Sequence, residues 1–370
     1  MVSEACRIHW RQETSVDQSP SGIPSRSFLQ QLAKKHKLEL LGIVALGKEP
    51  EFTRFEKWLE DGFHADMDFM ARNRSCREDP RTLQAGAKTA LIFAYQYYQG
   101  DQIQRGKQQN SARVAQYARL RDYHKFLRRH CSEFWNELQK HYQDLGSMRV
   151  TVDSAPLLER ALASRTAAGF IGKNTLYIHP NKGSYLLLGE ILTDSIFPPD
   201  TPGSVDPKRR NPEGGCGSCK RCQVNCPTGA LDEAYRLDAK KCLAYYTIEH
   251  RGTIPVAFWS GLKHYFFGCD ICQLVCPYNR GQKAVKSEHL KIIGLPPLNK
   301  IALMNQQEYE EWFGGTPMTR AKKDGLRRNA LISMVVQGHE ALEKTLAELE
   351  DDASPLIKAT LDQVKSYLNL

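Results

Sequence analysis

Eight of the eleven cysteines lie between positions 216 and 276, and their spacing suits very few folds. The first four follow the pattern Cys-x2-Cys-x2-Cys-x3-Cys-Pro, which runs from Cys216 to Pro227. In bacterial two-cluster ferredoxins, the fourth cysteine of such a run binds the other cluster. Three closely spaced thiolates can wrap one cubane, and the proline then turns the chain away. The pattern therefore predicts a module with two 4Fe–4S clusters.

A second run, Cys269-x2-Cys272-x3-Cys276-Pro277, lacks one cysteine of the usual set, and the isolated Cys242 can supply it. Two zinc sites are the alternative, because isolated Cys-x2-Cys pairs favour zinc. The triple run and the two Cys-Pro endings favour clusters instead. We predict a first cluster bound by Cys216, Cys219, Cys222 and Cys276, and a second cluster bound by Cys226, Cys242, Cys269 and Cys272.

The composition is that of a globular protein of two or three domains, with 370 residues, of which 41% are hydrophobic and 25% charged. No apolar run has the length of a membrane span, and the polar N-terminus resembles no signal peptide. We therefore expect a cytoplasmic protein without a membrane partner, whose cysteines are thiols or metal ligands rather than disulfides. Cys131 lies on the apolar side of a predicted helix and is expected in the core. No role follows for Cys6 or Cys76.

Periodicity and turn residues divide the remaining chain into a mixed domain before the cysteines and a helical region after them. Helices are predicted at 27–37 and 114–142, strands at 40–46, 89–95, 149–152, 175–179 and 184–192, and C-terminal helices at 325–336, 340–349 and 355–368. The last three suggest a small all-α HEAT-like unit. We expect an N-terminal extension at 1–26, an α/β (α+β) domain at 27–196, a linker at 197–215, a ferredoxin-like module at 216–285 and a helical region at 286–370.

Two polar residues of the first domain are candidates for chemistry. Asp153 ends a predicted strand just before a predicted helix, a place that suits either a catalytic acid or a capping residue. Ser154 could also cap that helix, with Pro156 in its first turn. His124 lies on the same helical side as apolar residues, which is also typical of a half-buried core histidine. Position alone leaves both alternatives open.

Two basic clusters stand out against a net charge of +9. One spans 113–129 with six basic residues and one acid, and the other spans 320–328 with five basic residues and one acid. Such clusters suit a polyanionic partner such as RNA, or else form a solvated basic face.

Six short motifs follow one another along the chain between positions 121 and 276. They are Arg-Asp-Tyr-His at 121–124, Val-Asp-Ser-Ala-Pro-Leu-Leu-Glu-Arg at 152–160, Gly-Phe-Ile-Gly-Lys-Asn at 169–174, Gly-Glu-Ile-Leu-Thr at 189–193, the cysteine pattern with Cys242, and Thr-Ile-Glu-His-Arg-Gly at 247–252. In this order they resemble the epoxyqueuosine reductase family, which completes queuosine in tRNA.

The resemblance implies a base-off cobalamin in the first domain and reduction of the epoxide of epoxyqueuosine at the wobble nucleotide of the tRNAs for Tyr, His, Asn and Asp. It implies that Asp153 is the proton donor. Predicted cobalamin contacts are His124, Asp153, Lys173, His179, Arg251 and Gly268. Predicted tRNA contacts on the C-terminal helices are Arg320, Lys322, Lys323, Arg327 and Arg328.

Conversion of an epoxide to an alkene takes two electrons and two protons and releases water. An unidentified low-potential donor would supply the electrons through the clusters to cobalamin in a monomeric enzyme. The departing oxygen needs an acid, so we expect burial beside the corrin to raise the pKa of Asp153. The alternatives are a ferredoxin-type electron carrier, which would contain no cobalt, and a corrinoid reductive dehalogenase.

Overall fold

The computed structural model describes residues 22–100, 113–166, 168–200, 215–285 and 294–370. Most of the predicted N-terminal extension and linker, together with Cys6, lies outside these ranges. The strands are β1 Glu39–Ala45, β2 Thr89–Gln96, β3 Met148–Val152, β4 Phe170–Ile171, β5 Tyr177–Ile178 and β6 Leu186–Thr193. The first-domain helices are α1 Arg26–Lys35, α2 Phe52–Glu60, α3 Asp68–Ala71, α4 Arg74–Glu78, α5 Tyr123–His141 and α6 Glu159–Arg165.

Four of these strands form one sheet in the order β1-β2-β6-β3, and every neighbouring pair is antiparallel. The first domain is therefore α+β, with no parallel βαβ unit among the described strands. β4 and β5 make a separate two-stranded ribbon. A turn at 180–183 connects the two strands predicted at 175–179 and 184–192, and His179 and Gly183 form an antiparallel bridge around it.

Both faces of the sheet are covered, which explains why its strands are nearly continuous apolar runs. On one face Leu187 and Ile191 of β6 pack with Phe134 of α5, in a core that also contains α1. On the other face Leu188 and Leu192 of β6 pack with α6. Cys131 is fully buried in the first of these cores, as predicted.

Two predicted helix starts are wrong. The helix predicted at 114–142 begins only at Tyr123, because the side chain of Asp122 accepts a hydrogen bond from the His124 backbone N–H and caps the helix there. Upstream, Gln116–Arg119 forms a 3-10 turn, and Val114 bridges to Phe267. Ser154 caps no helix either, since α6 begins at Glu159 after a turn at 153–158.

The cysteine-rich module and the C-terminal helices share one hydrophobic core. Trp259 and Phe266 of the module pack in it with Leu326 and Leu331, so the two predicted regions are physically joined. The HEAT-like assignment and the domain boundaries stay predictions. The module contains α7 Arg221–Val224, α8 Leu243–Ile248, α9 Trp259–Leu262 and α10 Ile271–Leu274, and the C-terminal region contains α11 Leu298–Leu303, α12 Gln306–Phe313, α13 Lys322–Gln337, α14 Leu342–Leu349 and α15 Pro355–Leu368.

Candidate active site and cluster-binding module

Asp153 lies between two side chains from the first turn of α5. His124 Nε2 is 2.5 Å from Asp153 Oδ1, and the Tyr123 hydroxyl donates a hydrogen bond to Oδ2. The imidazole and phenol rings stack with centroids 4.2 Å apart. Both residues reach Asp153 because the Asp122 cap starts α5 beside the end of β3. The side chains of Asp153 and His124 remain 37% and 29% exposed, so a substrate can reach them.

The electrostatics of this trio differ from the expectation for Asp153. Burial raises the pKa of its carboxyl, but hydrogen bonds from His124 and Tyr123 outweigh burial and hold that pKa below its usual value. The His124 imidazole loses some basicity to burial, yet Asp153 and Asp122 raise its pKa above the ordinary value. The expected upward shift of the Asp153 pKa is therefore wrong for this arrangement. Both shifts favour an imidazolium–carboxylate pair of His124 and Asp153.

The four cysteines predicted for the first cluster surround one cavity of about 340 Å³. Burial, and then the three other thiols around this cavity, raise the pKa of the Cys276 thiol to about 11. Lys173 supports the loop, because its backbone N–H donates to Cys216 Sγ at 3.3 Å and its ammonium donates to Gly217 O and Cys219 O at 2.6 and 3.0 Å. Asn174 and Tyr278 also line the cavity.

The four cysteines predicted for the second cluster also lie near one another. Burial, and then the neighbouring thiols of Cys242 and Cys226, raise the pKa of the Cys269 thiol to about 12. Burial likewise raises the pKa of Cys272, with Cys269 and Cys242 as charged neighbours. In the described part of the chain, no three His, Cys, Asp or Glu side chains converge on a point suitable for one metal ion. The four thiols of the first set instead surround one cavity, which fits a cubane cluster better than a zinc ion.

One turn connects the second cysteine set to Asp153. Asp270, between two cysteines of that set, is buried and accepts a hydrogen bond from the Gln116 backbone N–H at 2.7 Å. The next residue, Tyr117, has a phenol pKa raised by burial and then by the charges of Asp270 and Asp153. Its ring lies 6.3 Å from that of Tyr123, centroid to centroid. The turn therefore spans the distance between the cysteines and the acid.

Buried polar atoms near this turn have no protein partner. Within the described ranges, both amide atoms of Gln99, the Gln116 amide nitrogen and the Tyr185 hydroxyl make no hydrogen bond. Such groups are costly to leave unsatisfied. They fit a large ligand whose periphery carries many carboxamide groups, as that of cobalamin does.

The other predicted cobalamin contacts are dispersed. Lys173 binds the first cysteine loop, as described above. His179 accepts a hydrogen bond from the Asn181 N–H at 3.1 Å, and Arg251 donates to Arg320 O at 2.8 Å. The Gly268 N–H donates to Thr247 Oγ1 at 2.9 Å. Gly268 has a φ of +66°, and an added Cβ would lie 2.6 Å from Ala115, so glycine is required there.

The prediction that Arg327 and Arg328 contact tRNA is wrong, because both side chains are buried. Arg328 is fully buried and donates to the carbonyl oxygens of Tyr246, His250 and Gly252. Arg327 is 6% exposed and forms ion pairs with Asp324 and Asp352. Every residue of α13 from Gly325 to Val335 is buried, so both guanidinium groups lie inside the protein, where no phosphate reaches them.

The remaining predicted contacts of this cluster stay at the surface. Arg320 is exposed, pairs with Glu249 at 2.9 Å and lies 4.9 Å from the Phe69 ring centroid. Lys322 is exposed and Lys323 is half-buried. In the other basic cluster, four residues at the start of α5, beside His124, are exposed: Arg121, Lys125, Arg128 and Arg129.

The sequence analysis assigned no role to Tyr117, Asp270, Glu159 or Glu190. For Glu190 a signal existed, since it is a carboxyl inside an otherwise apolar strand. The others gain significance only from neighbours far along the chain.

Known proteins show where this chain belongs. A family model described as 4Fe-4S double cluster binding domain matches residues 215–279, and one described as epoxyqueuosine reductase QueG, DUF1730 matches residues 77–154. An epoxyqueuosine reductase of Pseudomonas aeruginosa is 36% identical over 298 residues, 79% of each chain. One of Xanthomonas campestris pv. campestris is 31% identical over 346 residues, 92% of this chain and 95% of the relative.

A crystal structure of epoxyqueuosine reductase with an epoxyqueuosine-modified tRNA-Tyr stem loop superposes with a TM-score of 0.79 at 26% identity, covering 91% of this chain and 88% of that one. None of the described helices is both long and apolar enough to cross a membrane. With identity above 30% over most of the chain, the protein belongs to the epoxyqueuosine reductase family.

Proposed function

We propose that this oxidoreductase reduces the epoxide of epoxyqueuosine to the alkene of queuosine at the wobble position of tRNA. The observation that carries this proposal is the Asp153 carboxyl, paired with His124 on an accessible rim that one turn joins to the second cysteine set. The relative solved with a modified tRNA-Tyr stem loop supports tRNA as substrate. We extend this to the tRNAs for His, Asn and Asp.

Two 4Fe–4S clusters and cobalamin are the proposed cofactors. The two cysteine sets would hold the clusters, and the unsatisfied groups of Gln99, Gln116 and Tyr185 would face the cobalamin. Bound cobalamin would supply reducing electrons at the epoxide carbon, received one at a time through the clusters. A low-potential one-electron donor is required from outside the chain. We further propose a monomeric, cytoplasmic protein.

The residues around Asp153 supply the proton that the departing oxygen needs. The His124 imidazolium passes its proton across the 2.5 Å contact to Asp153, which delivers it to the oxygen. Asp122 accepts from His124 Nδ1 at 2.8 Å, which orients the ring and stabilises its charged form. The lowered pKa of Asp153 is compatible with this role because the donor is the pair, not the isolated carboxyl.

The test of this function is Asp153→Asn, which keeps the shape and removes the acid. Single-turnover conversion of epoxyqueuosine tRNA by chemically reduced enzyme should fall by roughly 10²–10⁴-fold, the usual contribution of a positioned general acid. The iron content, the cobalt content and the affinity for tRNA should be unchanged. Asp144→Asn, at an exposed site of the same domain, is the matched control. Near-normal conversion by Asp153→Asn would remove Asp153 from the mechanism.

The cluster assignment has its own test in Cys242→Ala. Reconstituted protein should bind about eight iron atoms, and the variant should lose about four of them with the second cluster. Cys76→Ala, a half-buried thiol outside both sets, is the control and should keep all its iron. Full iron content in Cys242→Ala would show that another residue completes the second cluster.

A further inference from the structure

A carboxyl lies inside the sheet behind Asp153. Glu190 is 1% exposed at the centre of β6, between Leu188 and Leu192 on the face that packs against α6. Thr151, its partner across the strands, donates a hydrogen bond to Glu190 Oε2 at 2.8 Å. Glu190 Oε1 is buried and has no hydrogen-bond partner among the described residues. An ionised carboxylate is very unfavourable in such a place.

A second carboxyl approaches from α6. Glu159 is the first residue of that helix and is half-buried, and its Oε2 is enclosed with no partner in the described ranges. Burial, and then the charge of Asp153, raises the pKa of Glu159 to about 7. Burial, and then the charge of Glu159, raises the pKa of Glu190 well above its usual value. Both carboxyls lie where α6 packs on β6, and each has an enclosed oxygen without a partner in the described ranges, so one proton held between them would relieve their repulsion.

The surroundings of the pair contain too little positive charge to neutralise it. Arg160 and His124 favour the ionised form of Glu159, but burial outweighs both. The titratable and polar groups that face the pair are Asp153 and Thr151 at the end of β3, Tyr123, His124 and Cys131 on α5, and Arg160 on α6.

We propose that Glu159 and Glu190 form a buried acid pair that stores one proton behind Asp153 and resupplies Asp153 during turnover. The proposal rests on the proposed function, in which both carbon–oxygen bonds of the epoxide break and the oxygen leaves as water. That reaction consumes two protons and two electrons. Asp153 delivers the protons, the acid pair restores one of them to the Asp153–His124 pair, and solvent recharges the acid pair. The external one-electron donor supplies both electrons through the clusters. Glu159 and Glu190 are positioning residues, since they act through Asp153.

The first experiment needs no substrate. Infrared spectra of the resting cofactor-loaded enzyme, titrated from pH 5 to 9, should show the carbonyl band of a protonated carboxyl persisting at pH 7. Glu190→Gln and Glu159→Gln should each remove or shift this band. Glu49→Gln is the matched control, because Glu49 is equally buried but ion-paired with Arg165 at 3.1 Å. Absence of a protonated carboxyl at pH 7, or an unchanged band in both variants, would overturn the proposal.

The second experiment measures the pH dependence of single-turnover conversion. At pH 6, where solvent readily protonates His124, both variants should stay within about twofold of the unmodified chain. At pH 8 they should be slower by about tenfold, because the local proton is missing. An equal loss at every pH would indicate a merely structural role and contradict the proposal, as would an unchanged profile. If the unmodified chain converts no substrate although the infrared band behaves as expected, the proposed function fails and the shared proton stands.

Discussion

The two basic clusters contain six and five basic residues, each with a single acid, but the structure uses them differently. The cluster at 113–129 places four basic side chains at the surface around the start of α5. The cluster at 320–328 buries two of its five basic side chains, Arg327 and Arg328, in the core between the module and the C-terminal helices. A run of basic residues therefore does not identify a phosphate-binding surface, because the packing around each helix decides which guanidinium groups face solvent.

The difference also changes what each cluster contributes. Arg328 donates to three backbone carbonyls, one within α8 and two just after it, and so joins the cysteine module to α13. Lys125 and Arg129 lie one helical turn apart on α5, and both side chains are exposed. The first residue maintains the fold, whereas the other two can bind a polyanion. Four predictions test this division.

The largest effect is expected for Arg328→Met. This change keeps most of the buried volume but leaves the carbonyl oxygens of Tyr246, His250 and Gly252 without a donor. The free energy of unfolding should fall by roughly 3–5 kcal/mol, the usual cost of removing one partner from a buried charged network. Urea denaturation measures it, with Lys322→Met at the exposed start of α13 as the control. A loss below about 1 kcal/mol would contradict a structural role for Arg328.

The double change of Lys125 and Arg129 to Glu should weaken binding of a tRNA anticodon stem loop by about tenfold. It should also reduce the slope of log affinity against log salt by about one to two, because the phosphate contacts are lost. Titrations at several salt concentrations measure both quantities. The same reversal at Lys344 and Lys358, exposed on the C-terminal helices, should change neither. Equal losses in the two double variants would mean that net charge, not the α5 surface, determines binding.

A smaller effect is expected from a change of Asp352, the acid that forms an ion pair with the buried Arg327. Burial raises the pKa of Asp352, but hydrogen bonds from Arg327 outweigh this and lower it below the usual value. A carboxyl with a lowered folded-state pKa stabilises the fold above its unfolded-state pKa, and this is lost as pH falls through the folded-state value. Asp352→Asn should cost about 1 kcal/mol at pH 7 and show a weaker loss of stability towards pH 3. An unchanged acid dependence of the unfolding midpoint would refute the assignment.

The smallest effect is expected for the double change of Lys322 and Lys323 to Glu. These lysines stay predicted phosphate contacts, but only Lys322 is fully exposed. Stem-loop affinity should fall by about threefold and unfolding should hardly change, because neither side chain joins the core. A tenfold or larger loss, with no loss in the α5 variant, would move the tRNA surface back to the C-terminal helices.

Local features of this protein follow from its sequence alone. Cysteine spacing indicates two clusters because three thiolates that follow one another closely along the chain can wrap one cubane. The strands at 40–46, 89–95 and 184–192 follow from their apolar runs, because an antiparallel sheet covered on both faces needs apolar residues at nearly every position. The sequence motifs likewise identify the family, and Asp153 as its candidate acid.

Only the tertiary structure decided the features that depend on distant partners. His124 reaches Asp153 across 29 residues, and this contact reverses the expected direction of the carboxyl pKa. The charge of Glu159, on α6, raises the pKa of Glu190 on β6. Arg328 donates hydrogen bonds to carbonyl oxygens that lie about eighty residues earlier in the chain. A pKa and a side-chain environment depend on what surrounds a group in space, and periodicity gives the face of a helix or strand but not what covers it.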